Sequence, residues 1–260
     1  MRPTCSAVLP PNPAQPGLQA ALQAYFNDLA PSLDYWQQRN RYYYADLARL
    51  HRFLVPPGSR VLEIGCGAGH LLRAVDPQVG VGLDFAPAMV ELARRHHPHL
   101  HFYGLDGEQL TPTQLDPDHR QFDYILLSGV LGYLGDIQAV LQRLQPFCHP
   151  GTRLILTFHN YLWEPALRLA ERIGQRCPQP AQNWLGMDDV VNLLTITGYL
   201  PLKRGRRFLI PKPVPVLSDW VNRYLAPLPG LQHLCLTNFV VARPQPGLFR
   251  PPDALTCSVV

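Results

Sequence analysis

The chain has 260 residues, 47% of them apolar and 16% charged, with a formal net charge of +4. This length allows one substantial core, so we expect a single domain with appendages. No apolar run approaches the roughly 20 residues that span a bilayer, and the first residues lack the apolar stretch of a secretory signal peptide. The six cysteines are scattered without a CxxC pair. This pattern disfavours a disulfide framework and a structural zinc, so we predict no metal site and a cytoplasmic location.

The charge is unevenly distributed along the chain. Residues 199–260 carry eight Lys and Arg against two Asp, a net charge of +6, whereas residues 1–198 have a net charge of −2. A basic excess can favour nucleic acid or an anionic surface. The basic part contains no known RNA-binding motif and the total charge is modest, so nucleic acid is an unfavoured partner.

The N-terminal part precedes any regular alternation of strands and helices. Residues 1–17 hold five prolines and predict a disordered leader. Residues 18–57 predict helix, broken near Pro31 and dense in Tyr and Trp, which we interpret as an N-terminal helical lid. Most of its aromatic side chains should belong to the core. Tyr35, Arg39 and Tyr43 are nonetheless candidates to close over a bound ligand.

Regular alternation begins at residue 58. Strand-like apolar runs fall at 60–64, 79–83, 100–104, 122–128 and 152–158, with helical patterns between most of them. Strands that alternate with helices pair in parallel. The runs therefore predict a parallel sheet covered by helices on both faces.

The pattern changes beyond residue 160. It predicts helices near 164–173 and from about Asp188 to Gly198, and strands near 200–210 and 234–242. These two strands flank a Pro-rich apolar insert that is too long for a simple hairpin turn. We therefore predict one domain over 58–243 and a flexible tail over 244–260.

Residues 61–70, VLEIGCGAGH, place three glycines on alternate positions where a strand should turn into a helix. No Gly-Lys-Ser/Thr follows, so the loop is not a Walker A phosphate loop. A dinucleotide GxGxxG loop would have its third glycine at His70, but Gly69 comes one residue earlier. Glu63 precedes the glycines, and Asp84 ends the second strand, where a carboxylate can accept both hydroxyls of a ribose. These two carboxylates distinguish the site, and a dinucleotide loop and a methyl-donor loop both stay open on these residues alone.

Four segments between residues 58 and 160 stand in a distinctive order and spacing: VLEIGCGAGHLL, GVGLDFAPAMVELARR, GLDGEQL and FDYILLSGVLGYLGDIQAVLQRLQPFCHPGTRLIL. Together they resemble the class I S-adenosylmethionine-dependent methyltransferases. The resemblance implies a Rossmann-like, doubly wound α/β fold, with a mostly parallel seven-stranded sheet and an antiparallel C-terminal strand. It also implies S-adenosyl-L-methionine as the cofactor. Gly129 departs from the family, since many relatives carry a polar residue there.

The resemblance assigns donor-binding roles to residues of these segments. Glu63 would lie near the amino-acid end of the donor, Asp84 would accept from the ribose hydroxyls, and Phe85 would face the adenine. The other implied contacts are the backbone of Gly65, Cys66, Gly67 and Gly69, the pair Asp106 and Gly107 at the adenine edge, and Ser128. A solvated strand-end carboxylate is the alternative interpretation of Glu63 and of Asp106.

Further unusual segments are YFNDLAPSLDYWQQRNRYY, NYLWEP, PQPAQNW, RGRRFLIPK and APLPGLQHLCLTNFVVARP. They resemble a narrower group of bacterial methyltransferases, often joined to a family 2 glycosyltransferase domain. No such domain follows before Val260, so we expect any glycosyltransferase partner to be a separate protein. This kinship suggests a phosphorylated or lipid-linked sugar acceptor, within a broader prediction of a small-molecule or lipid-linked acceptor.

Ligands of an open α/β sheet bind beyond the carboxyl ends of its strands. His159, Asn160 and Tyr161 follow the fifth strand and should therefore face the acceptor. His159 is the candidate general base, because its imidazole can titrate near neutral pH. A hydrogen-bonded structural histidine is the alternative, and Glu164 is a second candidate base. Methyl transfer can also proceed by proximity and orientation, without a dedicated base.

Three classes of function stay open at this stage. The first is a methyltransferase that acts on a small-molecule or lipid-linked acceptor. The second is an RNA or protein methyltransferase, for which the basic isoelectric point is weak support. The third is a catalytically silent donor-binding protein or an NAD-binding Rossmann protein. Glu63 and His70 argue against the NAD-binding oxidoreductase alone.

Five cations lie between residues 203 and 212 with no acid among them. Alternation in a strand would put Lys203 and Arg207 on one face and Arg204 and Arg206 on the other. The next segment carries Trp220, Val221, Tyr224 and Leu225 at helical spacing. We predict peripheral membrane contact through 203–225. A solvated edge strand and packing on the sheet are the alternatives.

Overall fold

The computed structural model describes residues 17–245, so most of the predicted leader and tail lies outside the described residues. The strands are β1 (Arg60–Ile64), β2 (Val79–Asp84), β3 (His101–Gly104), β4 (Phe122–Ser128), β5 (Cys148–His159), β6 (Tyr199–Arg207) and β7 (Thr237–Pro244). The α-helices are α1 (Leu18–Leu29), α2 (Leu33–Arg39), α3 (Arg41–Leu54), α4 (His70–Ala74), α5 (Pro87–His96), α6 (Ile137–Arg143), α7 (Glu164–Arg172), α8 (Met187–Ile196) and α9 (Leu217–Trp220).

The strands form a sheet in the order β3-β2-β1-β4-β5-β7-β6. β7 runs antiparallel to both of its neighbours, whereas the other adjacent pairs are parallel. The predicted doubly wound, mostly parallel sheet with an antiparallel C-terminal strand is thus confirmed. β5 begins earlier than predicted, because Cys148 pairs with Phe122 ahead of an irregularity in the register. β7 begins later than predicted, because residues 231–234 form a 3₁₀ turn.

The sheet buries apolar side chains on both faces. On β4, Ile125 and Leu127 belong to one buried cluster, which includes α6 and α8, while Leu126 belongs to the other, which includes α4 and α5. Successive side chains of a strand point to opposite faces. A strand that is apolar at every position is therefore buried on both sides, as the continuous runs in the sequence predicted.

The N-terminal helices follow the predicted break at Pro31, where a 3₁₀ turn over Ala30–Ser32 separates α1 from α2. The buried face of α1 carries Leu22, Tyr25 and Leu29. Tyr25 and Leu29 pack in one cluster with residues of the glycine loop and of α5. This packing brings α1 to the edge of the sheet where the parallel strands end.

The basic strand β6 is at the edge of the sheet and is tied to helices on both faces. Arg207 donates to both oxygens of Asp46 in α3, at 2.8 and 2.5 Å, and Lys203 lies over a ring of the same helix. Arg204 pairs with Asp188 of α8 at 3.5 Å. Lys203 and Arg207 therefore face one way and Arg204 the other. Within residues 17–245, no helix has the length and apolar character needed to cross a membrane.

Candidate functional site

A cavity of about 330 Å³, here called the first cavity, opens where β1, β2 and β4 end. Its walls come from the glycine loop, the turn after β3, the segment after β4, and α1. The predicted donor-binding residues that line it are Glu63, Gly65, Cys66, Gly67, Asp84, Phe85, Asp106, Gly107 and Ser128. Gly69 is not part of the lining, because it packs inward, where a Cβ would lie 2.6 Å from the Phe102 ring.

The glycine loop turns sharply from β1 into α4. Gly65 has a φ of 69°, and a Cβ there would lie 2.7 Å from a methyl carbon of Val130. Both its backbone conformation and its surroundings therefore require glycine. A Cβ at Gly67 would meet nothing within 4 Å, so the loop presents bare backbone to an open space. This surface lets a ligand approach the main chain closely.

Glu63 is a buried carboxyl in the wall of the first cavity, and its Oε2 atom has no hydrogen-bond partner among the described residues. Burial, reinforced by the nearby Asp84 carboxylate, raises the pKa of Glu63 to about 8. A buried acceptor without a partner is costly. A cationic amino group in the cavity would satisfy that oxygen and lower this pKa, which fits the amino-acid end of S-adenosylmethionine. Burial also raises the pKa of the neighbouring Cys66 thiol well above its usual range.

Asp84 connects the glycine loop to the start of α5. The Gly67 N–H donates to Asp84 Oδ2 and the Ala86 N–H donates to Oδ1, each at 2.9 Å. A carboxylate has about four acceptor positions, so capacity remains for a ribose hydroxyl. Burial raises the pKa of Asp84, while the two backbone donors oppose that shift.

Asp106 and Ser128 lie on opposite sides of the first cavity opening. Asp106 Oδ1 accepts from the Glu108 N–H at 2.9 Å, and its Oδ2 accepts from the Gln19 side chain of α1. Ser128 shares a hydrogen bond of 2.7 Å with Thr157 of β5. Both side chains are therefore fixed in position before any ligand binds.

A second cavity, of about 370 Å³, adjoins the first. Side chains that line both cavities include Phe26, Ser128 and Tyr133. The remaining walls of the second cavity are mostly apolar and come from the N-terminal helices α1, α2 and α3, from α7 and from the loop after α7. Its polar and charged lining includes Asn40, Tyr43, His159, Gln175, Arg176, Gln179, Gln182 and Lys212.

His159 lies in the wall of the second cavity, and its Nε2 is hydrogen-bonded to the Tyr43 hydroxyl at 3.1 Å. Burial, with a smaller contribution from the positive charge of Arg176, lowers the pKa of His159 to about 3. This shift disfavours the expected imidazole that titrates near neutral pH. The general-base role of His159 stays a prediction.

Two cations of the second cavity were not predicted as site residues. Arg176 donates to Glu171 at 2.6 Å, and Lys212 donates to Asn40 Oδ1 at 2.9 Å. Burial lowers the pKa of Lys212, and nearby Arg39 adds to this effect. No pattern in the sequence marks Arg176, because it stands in a Pro-containing loop whose path depends on tertiary packing.

The helix α1 covers the first cavity. Gln23 donates to the Phe85 carbonyl oxygen at 2.6 Å, and the Phe26 ring stands edge-on to Phe85 and to Tyr133, at 5.8 and 5.4 Å between centroids. Of the three lid candidates named above, Tyr43 lines the second cavity, whereas Tyr35 and Arg39 line neither cavity.

A family model described as "Methyltransferase domain" matches residues 35–199. Over 159 residues the chain is 33% identical to a trans-aconitate 2-methyltransferase of Methylobacterium nodulans. The aligned region covers 60% of this chain and 58% of that protein. It is 29% identical over 133 residues to a ubiquinone biosynthesis O-methyltransferase of Bradyrhizobium diazoefficiens, covering 49% of this chain and 51% of that protein. The chain thus spans somewhat more than half the length of these curated relatives.

Solved structures share the fold at low sequence identity. A SAM-dependent methyltransferase of Thermotoga maritima matches with a TM-score of 0.64 and 16% identity, covering 85% of this chain and 98% of that one. The magnesium protoporphyrin IX methyltransferase of Synechocystis, with bound SAH, matches with a TM-score of 0.57 and 17% identity, covering 88% of this chain and 100% of that one. The family match extends over more than half of the chain and includes its glycine loop. The chain therefore belongs to the class I S-adenosylmethionine-dependent methyltransferases.

Proposed function

We propose that the first cavity binds S-adenosylmethionine and that the second cavity binds a small-molecule acceptor of the methyl group. The observation that carries this proposal is the wall that the two cavities share, with Phe26, Ser128 and Tyr133 lining both. Ligands in adjoining spaces meet by proximity and orientation. These are the main requirements for an in-line displacement at a methyl carbon.

In this proposal the residues of the first cavity bind and orient the donor. When bound, S-adenosylmethionine supplies a methyl group on a sulfonium, which an acceptor atom displaces. Glu63 takes the amino group of the donor on its unpaired Oε2, and Asp84 accepts from a ribose hydroxyl. Phe85, Asp106 and Gly107 face the adenine, and α1 excludes water above them.

We infer an acceptor with an apolar body and an anionic group. The second cavity has mostly apolar walls, and two cationic side chains line it: Lys212, and Arg176, which is paired with Glu171. Within residues 17–245, no salt bridge joins Lys212 to an acid. Arg39 lies close enough to repel it. An anionic group would relieve this repulsion. The name of the Methylobacterium relative, for trans-aconitate, supports a small anionic acceptor.

An acceptor oxygen that is already ionised, such as a carboxylate, has no proton to lose before transfer. We therefore assign His159 a positioning role, in which its uncharged ring fixes the Tyr43 hydroxyl in the cavity wall. A general-base role for His159 belongs to a hydroxyl acceptor and stays a prediction. A base with a pKa of about 3 would remove a hydroxyl proton inefficiently.

Labelled-methyl transfer to cell extract tests the proposed function. The extract is separated into small molecules, lipids, RNA and protein after incubation with the chain and labelled S-adenosylmethionine. We expect label in the small-molecule fraction, where a carboxylate acceptor would appear as its methyl ester, and none with Glu63→Ala, whose binding of S-adenosylhomocysteine is measured in parallel by calorimetry. Label confined to RNA or protein would contradict the small-molecule acceptor. Binding of NAD in place of S-adenosylhomocysteine would contradict the donor site.

A second candidate acceptor, a lipid-linked sugar, is favoured by one specific feature. The insert between β6 and β7 reaches the second cavity through Pro211 and Lys212. Its exposed apolar side chains are Val214, Val216, Leu217, Trp220, Tyr224, Leu228 and Leu234. Together with Arg223, this surface could rest on anionic lipid and receive an acceptor from the membrane. A separate glycosyltransferase partner belongs to this second proposal.

Vesicle co-sedimentation tests the membrane proposal. We expect binding that needs anionic lipid, falls with salt, and weakens when Trp220 and Tyr224 are changed to Ser. Ile196→Ser is the matched control, because Ile196 is an equally exposed apolar side chain of α8. Arg207 is unsuitable for charge reversal, because its bond to Asp46 ties β6 to α3. If anionic vesicles leave all variants in solution, the membrane proposal is wrong and a soluble acceptor stands.

A further inference from the structure

Three histidines converge beside the first cavity on elements that are distant in sequence. His70 is the first residue of α4, His96 is the last residue of α5, and His97 follows it. One potential ligand atom from each lies within 4.8 Å of the others. His70 Nδ1 and His97 Nε2 are 3.4 Å apart. Two nitrogens at about 2.0–2.1 Å from one tetrahedral metal ion would be separated by about that distance.

Asp34 of α2 lies over this cluster. Its Oδ1 is 3.2 Å from His70 Nε2, and its Oδ2 is 3.4 Å from His96 Nε2. A carboxylate that accepts from one ring nitrogen leaves the other with its lone pair free. For His70, the free nitrogen is Nδ1, which faces His97. Carboxylates bind and orient metal-ligating histidines in this way in many metalloproteins.

The three rings offer the donor type that a metal ion of this class takes from histidine, the nitrogen lone pair of a neutral imidazole. The cysteine pattern, on which the sequence-based prediction of no metal site depended, carries no information about a site of this kind.

We propose that His70, His96 and His97 bind one divalent transition-metal ion such as Zn²⁺, with Asp34 orienting His70 from the lid. Imidazole ligands suit Zn²⁺, Cu²⁺ and Ni²⁺. Because Asp34 belongs to α2 while His70 follows the glycine loop, the bound ion fastens the lid to the first cavity. His70 lines that cavity, and a Gly69 Cβ would lie 3.2 Å from the His97 ring.

Zn²⁺ binding by the full chain, produced without a histidine tag and with its thiols blocked, tests the site. The affinity is measured by competition with a chromogenic chelator. We expect one ion per chain, and a loss of affinity of tenfold or more in His96→Gln and in His97→Gln. Asp34→Asn should weaken binding by about 10- to 100-fold, as loss of an orienting carboxylate typically does. His99→Gln is the control, because this exposed histidine is adjacent in sequence but outside the cluster.

A second readout separates the proposed site from adventitious binding. Zn²⁺ should slow amide hydrogen exchange over residues 33–39 in the unchanged chain and in His99→Gln, but not in His97→Gln. Circular dichroism melts establish that each variant is folded. Equal Zn²⁺ affinity in all four variants and the unchanged chain, or no saturable binding at 100-fold excess of Zn²⁺, would overturn the proposal. This outcome is independent of donor and acceptor binding, because neither ligand is present.

Discussion

The two adjoining cavities differ in how the sequence encodes them. The first cavity depends on backbone shape, since its floor is a glycine loop and two carboxylates within about two dozen consecutive positions. The second depends on side chains from the lid, β4, β5, α7 and the insert before β7. A shared donor keeps the first arrangement recognisable across a family. The second can change with the acceptor while the fold stays the same.

The largest loss of donor binding in the first cavity should come from Gly65→Ala. We expect S-adenosylhomocysteine to bind about 100-fold more weakly, because the overpacking (about 1–3 kcal/mol) and the left-handed strain (about 1–2 kcal/mol) are relieved only when the loop leaves its donor-binding shape. The added methyl group would lie 2.7 Å from Val130. Gly58→Ala is the matched control, since Gly58 also has positive φ but a Cβ there has no neighbour within 4 Å. Calorimetry should find the affinity of Gly58→Ala for S-adenosylhomocysteine unchanged. If both variants lost affinity equally, the contact with Val130 would not be the cause.

The next largest loss of donor affinity should come from a change at Asp84. Asp84→Asn should weaken S-adenosylhomocysteine binding by about 10- to 100-fold, because hydrogen bonds to a charged group contribute about 1.5–3 kcal/mol. Asp76→Asn is the control, since Asp76 is an exposed carboxylate at the end of the turn after α4. Calorimetry measures the affinity and thermal melts establish folding. Unchanged affinity in a folded Asp84→Asn protein would remove the ribose role.

A pH dependence tests the amino-group role of Glu63. The free carboxyl has a pKa of about 8, so it is mostly protonated at pH 7. Binding of the ammonium group lowers that pKa and releases a proton. Affinity for S-adenosylhomocysteine should therefore rise by up to about tenfold per pH unit between pH 6 and 8, and level off above the free pKa. Calorimetry in buffers of different ionisation enthalpy measures the released proton. A dependence that persists in Glu63→Gln would contradict the assignment.

The smallest effect on donor binding should come from the second cavity. Arg176→Gln should leave S-adenosylhomocysteine affinity within twofold, while methyl transfer to the small-molecule fraction of an extract falls about tenfold through loss of a charged contact. Arg168→Gln is the control, because Arg168 is an exposed cation of α7 that lines neither cavity. A parallel loss of donor binding would mean that the two cavities are not separate sites.

The sequence predicted those features that local chemistry determines. Continuous apolar runs located the central strands, and Glu63, the glycines and Asp84 located the first cavity. The sequence could not predict that Tyr43 and His159 meet, because they are 116 positions apart and a long path joins them. Nor could it predict the low pKa of His159, which depends on burial and on the positive charge of Arg176, 17 positions further along the chain. The pairing of Arg207 with Asp46 is likewise a tertiary contact.

Filling the second cavity tests the separation of donor and acceptor most directly. Ala170 lines that cavity from α7, and Leu169 beside it is exposed to solvent. We predict that Ala170→Trp binds S-adenosylhomocysteine within twofold of the unchanged chain and loses at least about tenfold in labelled-methyl transfer, because its ring occupies the acceptor space. Leu169→Trp should retain both properties. Undiminished transfer by a folded Ala170→Trp protein, or a matching loss of donor binding, would contradict the account.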